Sequence, residues 1–398
     1  MTFMTVAHYL QILDKSWRNL DGNKVALFIS LRHEHAKFPN YQVEQPERIV
    51  NKFLTSPLDD LVCLHLRCLF YIGKNNFIEA YKNQSTLVQT FAKILQSQKE
   101  ENWSLPIMFV ICSDLRLIAQ QAEKQRVGNT ENPGEILEKA AECLMGCFRV
   151  CAADNRSSDE DTKRIGMLGL VNQLFKVYFR INKLHLCKPL IRAIESSQFK
   201  DIFPLGQQVT YKYFVGRKSM YDSNYKAAEE YLSYAFENCH KASRKNKRLI
   251  LTYLVPVKML LGYIPSRQVL EKYDIVVEFW DLVQAVCQGN LKLFDDLMEK
   301  HEAFFISSGI YLIVDKLKII AYRNLFRKVY LILNTHQIPV DSLQQALECL
   351  GQDADMDETE CIVANLIYEG KIKGYISHQH RKVVVSKQNP FPPLTSLS

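Results

Sequence analysis

A chain of 398 residues that is 47% hydrophobic has enough apolar material to fold along most of its length, which excludes a chiefly disordered tail or linker protein. Its formal charge of +7 is moderate for that length, so it suits an acidic partner or nucleic acid without requiring either. Eleven cysteines, an odd number without regular spacing, argue against a disulfide framework and point to a reducing compartment, cytosol or nucleus. The stretch Met1 to Leu13 has neither the basic start nor the unbroken apolar run of a secretory signal. The most apolar segment, Leu249 to Ile264, is interrupted by Pro256 and Lys258 and is too short for a bilayer core of roughly 30 Å, so it is expected to be a buried helix and no membrane insertion is expected.

Helical periodicity dominates from the start. Leu61, Leu64, Leu66 and Leu69 lead into Gly73, and Phe77, Tyr81, Thr86, Leu87 and Phe91 resume a second helical pattern, which predicts a helix, a turn and a helix. Polar stretches at Gly128 to Gly134 and Asp154 to Lys163 are expected surface connections. The clearest repeat-like unit is Tyr211 to Cys239. There one helix ends near Met220, Asp222-Ser223-Asn224 supplies turn chemistry, and Tyr225, Ala228, Leu232, Ala235 and Phe236 mark the buried side of the next helix. Similar hairpins are expected at Leu249 to Leu261 and at Val276 to His301, the latter pivoting on Gly289-Asn290. No strict period recurs, so the array is a degenerate, right-handed, tetratricopeptide-like (TPR-like) solenoid of helical hairpins.

The pattern then changes. Tyr322, Leu325, Phe326, Val329, Tyr330 and Leu333 form a helical apolar stripe that leaves Arg323, Arg327 and Lys328 outside it. Short helices fit Val340 to Leu350 and Asp357 to Tyr368, the second with an acidic first turn that suits the helix dipole. Beyond Gly370, Lys373 to Ile376 and Lys382 to Ser386 are candidate strands joined by Ser377 to Arg381. Three helices followed by a β-hairpin is the winged-helix order. The closing segment contains Pro390, Pro392 and Pro393 and is expected to be extended or disordered.

The run HEAFFISSGIYLIVDKLKIIAYRNLFRKVYLIL (His301 to Leu333), with GYISHQHRKVVVSKQNPFPPL (Gly374 to Leu394), closely resembles the PCI-domain-containing protein 2 family. HLCKPLIRAIESS (His185 to Ser197), YKYFVGRKSMYDSNYKAAEEYLSYAFENC (Tyr211 to Cys239) and KNKRLILTYLVPVKMLLGYIPS (Lys245 to Ser266) extend the resemblance over most of the second half. FIEAYK (Phe77 to Lys82) and EENW (Glu100 to Trp103) carry it into the first. The resemblance implies a mostly α PCI fold: N-terminal helical repeats over 1–205, the repeat part of the PCI domain over 206–315, a winged helix over 316–388, and a proline tail over 389–398. It also implies a subunit of the complex that couples transcription to mRNA export at the nuclear pore. The expected partners are a large GANP-type scaffold, a small acidic Dss-type subunit and, through the basic winged helix, RNA or other single-stranded nucleic acid, and the expected location is the nucleus, associated with the nuclear pore, with a possible cytoplasmic pool. A structural place in another PCI assembly, of proteasome-lid, signalosome or translation-initiation type, is the competing reading.

No nucleotide-binding, phosphate-loop, zinc-protease or nucleophile-elbow string occurs, so neither catalysis nor a cofactor is expected. Cys143, Cys147 and Cys151 recur every fourth residue but lack a nearby fourth ligand, which makes them expected core residues, like Cys63 and Cys68, and not a zinc face. Asp353, Asp355 and Asp357 begin like a calcium loop, yet Glu358 stands where glycine is needed and Ala364 where the bidentate glutamate belongs. His378 with His380, and His33 with His35, have metal-like spacing, although polar wing-tip residues are the simpler account of the first pair.

Charge supplies the strongest functional signal. Lys371, Lys373, Arg381, Lys382 and Lys387 surround the expected wing, against Glu369 as the single acidic residue after Cys361. With Arg323, Arg327 and Lys328 they are the candidate phosphate contacts. Lys241, Arg244, Lys245, Lys247 and Arg248 read as a basic linker. Tyr375 and Phe391 could stack on bases, with core packing the expected fate of Tyr375. Asp357, Glu358 and Glu360 would repel phosphate from the third helix of the winged helix, so insertion of that helix into a major groove is not expected.

Overall fold

Three turns of the computed structural model, which describes residues 5–98, 102–126, 133–155 and 161–397, share one chemistry. Just past the end of a helix, Asn75, Ser223 or Gly289 adopts the left-handed conformation, with φ of 55°, 60° and 65°. The following asparagine, Asn76, Asn224 or Asn290, donates its N–H to the carbonyl of Tyr71, Ser219 or Ala285 at 2.9 Å in each case. Its side chain then accepts the N–H of Glu79, Ala227 or Leu293 at 3.2, 3.3 and 3.1 Å. One bond closes a helix and the next caps its successor, which reverses the chain within two residues while leaving few helix-end groups unpaired.

The chain divides into two units, Met1–Tyr211 and Lys212–Ser398. The first contains α1 (Val6–Arg18), α2 (Gly22–Ile29), α3 (Glu47–Val50), α4 (Leu58–Gly73), α5 (Phe77–Ser97), α6 (Leu105–Arg126), α7 (Glu135–Ala152), α8 (Met167–Arg180) and α9 (Cys187–Glu195), and the boundary falls within α10 (Leu205–Tyr221). Helix α6 lies at its centre, packed on α2, α5, α7 and α8. By length and composition α6 could cross a membrane, a signal absent from the sequence reading, but 56% of its most apolar window is buried in this unit, as befits a core helix. Most of the expected connection at Gly128 to Gly134 and the middle of Asp154 to Lys163 lie outside the described residues.

The cysteines on α7 are packing residues. Cys147 and Cys151 are fully buried, with Cys147 Sγ 3.9 Å from Cys112 and Cys151 Sγ 3.7 Å from Met108 Sδ, while Cys143 Sγ lies 3.2 Å from Ser85 Oγ. Among the described residues no group of three or more His, Cys, Asp or Glu side chains could hold a metal ion. His33 and His35 belong instead to a chain of imidazoles: His33 Nδ1 meets His35 Nδ1 at 2.8 Å, and His35 Nε2 meets the fully buried His65 Nε2 at 3.0 Å. His65 Nδ1 has no partner. Since a bare acceptor is less costly to bury than an unbonded N–H, the His65 proton is assigned to Nε2, which makes His35 carry its own on Nδ1.

In the second unit, α11 (Tyr225–Asn238) follows the second of the shared turns, and Ala228, Leu232 and Ala235 are buried, as their spacing predicts. The expected hairpin at Leu249 to Leu261 is one continuous helix, α12 (Arg244–Leu260), which runs through Pro256. Burial of Thr252 through Val257 against its neighbours outweighs a local proline cost of about 3 kcal/mol. After α13 (Arg267–Lys272), α14 (Val276–Gln288) and α15 (Leu291–Lys300) pivot on Gly289-Asn290 as expected, and α16 (Glu302–Ser308) and α17 (Tyr311–Asp315) complete the repeats.

The winged helix consists of α18 (Lys318–Leu333), β1 (Gln337–Pro339), α19 (Val340–Glu348), α20 (Met356–Tyr368), β2 (Gly374–Ser377) and β3 (Lys382–Val385). Strand β1 has no counterpart in the sequence reading, being three residues that end on a proline. It makes the hairpin a three-stranded antiparallel sheet in the order β1-β3-β2. Asp355 and Glu358 form a reciprocal capping box at the start of α20, so the acidic run is a helix start and not a calcium loop. Leu325, Phe326, Leu343, Leu347, Val363, Leu366, Ile338, Val383 and Val385 share one core, whereas Leu333, the last residue of the expected stripe, is exposed together with its neighbours Leu331 and Ile332.

Stability should fall in mild acid. Burial first and His33 second pull His35 down to about 4 from 6.5, and burial first and His35 second hold His65 well below 6.5. The unfolded chain therefore binds more protons below pH about 6.5, so stability is complete above that value and is lost as the pH falls toward about 4. The expected slope is about 1.4 kcal/mol per pH unit for each histidine. Urea unfolding at pH 7.5, 6 and 5 measures it, and His35→Gln should flatten the profile. A wild-type profile parallel to that of the variant would contradict the assignment.

Candidate nucleic-acid interface

Strand register decides which side chains of the wing face solvent. Tyr375 pairs with Val384 and Ile376 with Val383 between β2 and β3, while Gln337 pairs with Val384 and Ile338 with Val383 between β1 and β3. Ile338, Val383 and Val385 are buried, so this parity faces the core. Tyr375, Ser377, Lys382, Val384 and Gln337 have the opposite parity and form the outer face, where Lys382 Nζ donates to Gln337 Oε1 at 3.3 Å.

The candidate cations separate into different groups. Lys373, Arg381 and Lys387 are exposed around this sheet, and Lys382 is half-buried on it. Arg381 occupies the left-handed turn between β2 and β3, with φ of 47°, and its carbonyl accepts the N–H of Val340 at 3.0 Å. Lys371 is neutralised by an ion pair with Glu369, so the single acidic residue of the chain after Cys361 is already committed. On α18, Arg327 and Lys328 are exposed.

Arg323 departs from expectation. Its side chain is buried, and the guanidinium donates from Nη2 to the carbonyls of Phe391 at 3.2 Å and Pro392 at 2.6 Å, and from Nη1 to Asn324 Oδ1 at 2.9 Å. Burial first, and the neighbouring Arg327 second, lower its pKa. A guanidinium bound to two backbone carbonyls cannot also hold a phosphate, so Arg323 leaves the contact set and becomes the anchor of the C-terminal segment.

That segment, expected to be extended or disordered, is docked on the winged helix. Phe391 is buried, with its ring 5.6 Å from that of Tyr330 and 5.9 Å from the Arg323 guanidinium, and Leu394–Ser396 forms a helical turn. Gly262, beyond α12, admits the segment because a Cβ there would stand 2.6 Å from Leu394 Cβ. A groove of about 470 Å³ remains between α12, α14, α18 and the segment, bordered by Arg323 and Arg327. The two aromatic candidates thus exchange fates: Phe391 packs in the core and Tyr375 is 62% exposed. Alternation along β2 and the residues before it, with Ile372 and Ile376 inward, already points Tyr375 outward.

Other basic and metal-like sets are structural. The expected basic linker, apart from Lys241 in the preceding turn, is the start of α12, where Arg244 and Arg248 face Asp274 and Glu278 at 3.6 and 3.3 Å, and buried Lys247 donates to the Phe236 carbonyl at 2.7 Å. His378 and His380 lie in a single helical turn and not in one strand, and His378 Nδ1 contacts Glu360 Oε2 at 2.7 Å. The start of α20 exposes Asp357 and Glu358, which repel phosphate.

Residues 298–387 match the family described as PCI domain. Over 396 residues, covering 99% of this chain and 100% of the relative, the sequence is 55% identical to a PCI domain-containing protein 2 homolog of Drosophila melanogaster. It is 54% identical over 401 residues, all of both chains, to PCI domain-containing protein 2 of Danio rerio. A Caenorhabditis elegans PCI domain-containing protein 2 homolog is 45% identical over 395 residues, 96% of this chain and 95% of the relative.

Replacing Arg323 by Met should leave the carbonyls of Phe391 and Pro392 without a donor, at a cost of about 1–3 kcal/mol. Denaturant unfolding should report that loss, and limited proteolysis should cleave between Gln388 and Ser396 earlier than in wild type. Arg327→Met, at an exposed position, should change stability by no more than about 0.5 kcal/mol. Equal proteolysis rates for Arg323→Met and wild type would show that the anchor lies elsewhere.

Proposed function

Since the chain belongs to the PCI domain-containing protein 2 family, and is a PCI-domain scaffold subunit, we propose that it serves, without catalysis, a complex coupling transcription to mRNA export at the nuclear pore. In this reading its helical repeats hold protein partners and its wing contributes to an RNA-binding surface. The observation that carries the RNA reading is the cationic excess of the wing: Lys373, Arg381, Lys382 and Lys387 lie around one sheet, while the acidic Glu369 beside it pairs with Lys371 and Glu360 contacts His378. Such an arrangement attracts a polyanion along its backbone, with little sequence preference, because phosphate contacts position a strand without reading it.

A salt titration tests this with the assembled complex. Each phosphate contact on a single strand adds about 0.7 to the slope of log affinity against log salt, so three contacts give roughly −2. The triple variant Lys373→Glu, Lys382→Glu, Lys387→Glu should weaken binding strongly and flatten the slope, with circular dichroism unchanged because the substitutions lie on the solvent side. Equal affinities and slopes would reduce the wing to a solvated face.

The proposed protein partners are a large GANP-type scaffold and a small acidic Dss-type subunit, in the nucleus. The positive net charge favours the second, whose association should slow with salt as opposite charges lose their steering. Affinity purification from nuclei, followed by mass spectrometry, should recover both. Recovery instead of proteasome-lid, signalosome or initiation-factor subunits would establish the competing assignment.

A further inference from the structure

We propose that Tyr375 is a stacking platform for an unpaired base, which makes single-stranded nucleic acid, and not duplex, the ligand class of the wing. This rests on the RNA-binding reading above and specifies it.

A tyrosine on a sheet ordinarily gains by covering its ring, yet Tyr375 is 62% exposed on the outer face of β2, an edge strand of the sheet. Its cross-strand neighbour Val384 and the next, Gln337, lie in one row with it, and neither is large enough to cover an aromatic face. Cations bracket it. Lys373 precedes it by two residues, and the register continues there because the Lys373 carbonyl accepts the N–H of Ser386 at 2.7 Å. Lys373 therefore has the parity of Tyr375, about 7 Å along the strand. Lys382, opposite Ser377, is the diagonal neighbour on the other side, about 7–8 Å away, and its ammonium, which donates to the exposed Gln337, would have to turn from β1 toward the strand. A base on the ring would place its flanking phosphates toward one lysine and then the other, a spacing comparable with the step of an extended strand. Charge complementarity thus selects a polyanion, and the ring selects one that presents a free base face.

The strand beneath the ring is held closely. A Cβ on the adjacent Gly374 would stand 2.4 Å from the Val384 carbonyl oxygen, so β2 approaches β3 more closely than any other residue allows. Gly374 pairs with Val385, and the Lys373 N–H donates to Pro390 at 2.8 Å, which joins this strand to the docked C-terminal segment. A backbone already fixed in this way adds little entropy cost when a base lands on the ring it carries. Duplex is disfavoured on two counts: its bases already stack on one another, and the exposed start of α20 offers Asp357 and Glu358 where a groove-reading helix would need neutral or basic groups.

The test uses the assembled complex, a labelled twelve-nucleotide oligouridylate, and a duplex RNA of the same length. Tyr375→Ala should weaken the single strand by roughly 5- to 150-fold, the range for losing one stacked base. Tyr375→Phe should stay within about twofold of wild type, because the ring and not the hydroxyl acts. Neither substitution should alter the salt slope or the duplex affinity. A 2-aminopurine in the oligonucleotide should be quenched on binding to wild type and to Tyr375→Phe, and less on binding to Tyr375→Ala. If Tyr375→Ala binds the oligouridylate as tightly as wild type while the slope of roughly −2 persists, the platform is refuted and the phosphate reading stands. Equal losses for Phe and Ala would also refute stacking in favour of a hydroxyl contact. A Tyr375→Ala chain that loses its protein partners but keeps its RNA affinity would refute it too, making the face a protein contact. If wild type binds neither RNA in a salt-dependent way, the parent reading fails and this one with it.

Discussion

The winged helix depends on the close approach of Gly289 to the backbone of α18. A Cβ at position 289 would stand 2.4 Å from the Leu325 amide nitrogen and 2.9 Å from the Ala321 carbonyl oxygen, and the residue has φ of 65°. Glycine alone meets both demands, steric and conformational. The turn that ends α14 is thereby pressed onto the first helix of the winged helix, and Asn324 Nδ2 donates to the Val286 carbonyl at 2.8 Å beside it. Leu291, the first residue of α15, enters the winged-helix core, and Asp295 receives Lys318 at 2.8 Å and Gln352 at 2.8 Å. The last helical hairpin of the repeats is therefore the seat on which the wing is built, and the same turn chemistry at Asn75-Asn76 and Ser223-Asn224 serves ordinary hairpins.

With α18 seated, one cation closes the other side of the module. Arg323 draws the C-terminal segment inward by its carbonyls, Phe391 covers Tyr330, and Pro390 accepts the Lys373 N–H. Structural cations are thus set apart from available ones. Arg323, Lys247 and Lys371 have carbonyl or carboxylate partners, whereas Lys373, Arg381, Lys387, Arg327 and Lys328 extend into solvent. Net charge is a poor guide to a binding face for this reason, since a buried or paired cation adds to the sum and nothing to the surface.

The first unit shows the corresponding economy with groups that resemble ligands. Its cysteines at fourfold spacing fill the contact of α7 with α5 and α6, and its close histidines bond to one another through ring nitrogens, leaving the His65 Nδ1 acceptor bare. Each set has the spacing of a metal site because one helix face, or one tight turn, imposes that spacing on any residues placed there. The imidazole chain leaves the unit dependent on neutral rings, so pH acts on its stability and not on a reaction.

Local rules sufficed for much of this protein. Periodicity placed α4, α5, α11, α14 and α15, because each must bury a stripe of side chains spaced by the helix. Turn residues placed the joints, and the order of three helices and a hairpin placed the winged helix. The charge excess at the wing was legible because it lies in one continuous stretch after Glu369. The tertiary structure decided what depends on partners remote in sequence. A segment with three prolines could dock because Arg323, some seventy residues earlier, supplies its donors. Leu249 to Leu261 remained one helix through Pro256 because its surroundings bury it, and β1, too short to announce itself, exists because β3 pairs with it. The alternation of β2 already turned Tyr375 outward, whereas Phe391 was buried only by the docking of its segment on Tyr330 and Arg323. Burial is a property of the assembled surface, and no residue carries it in its own chemistry.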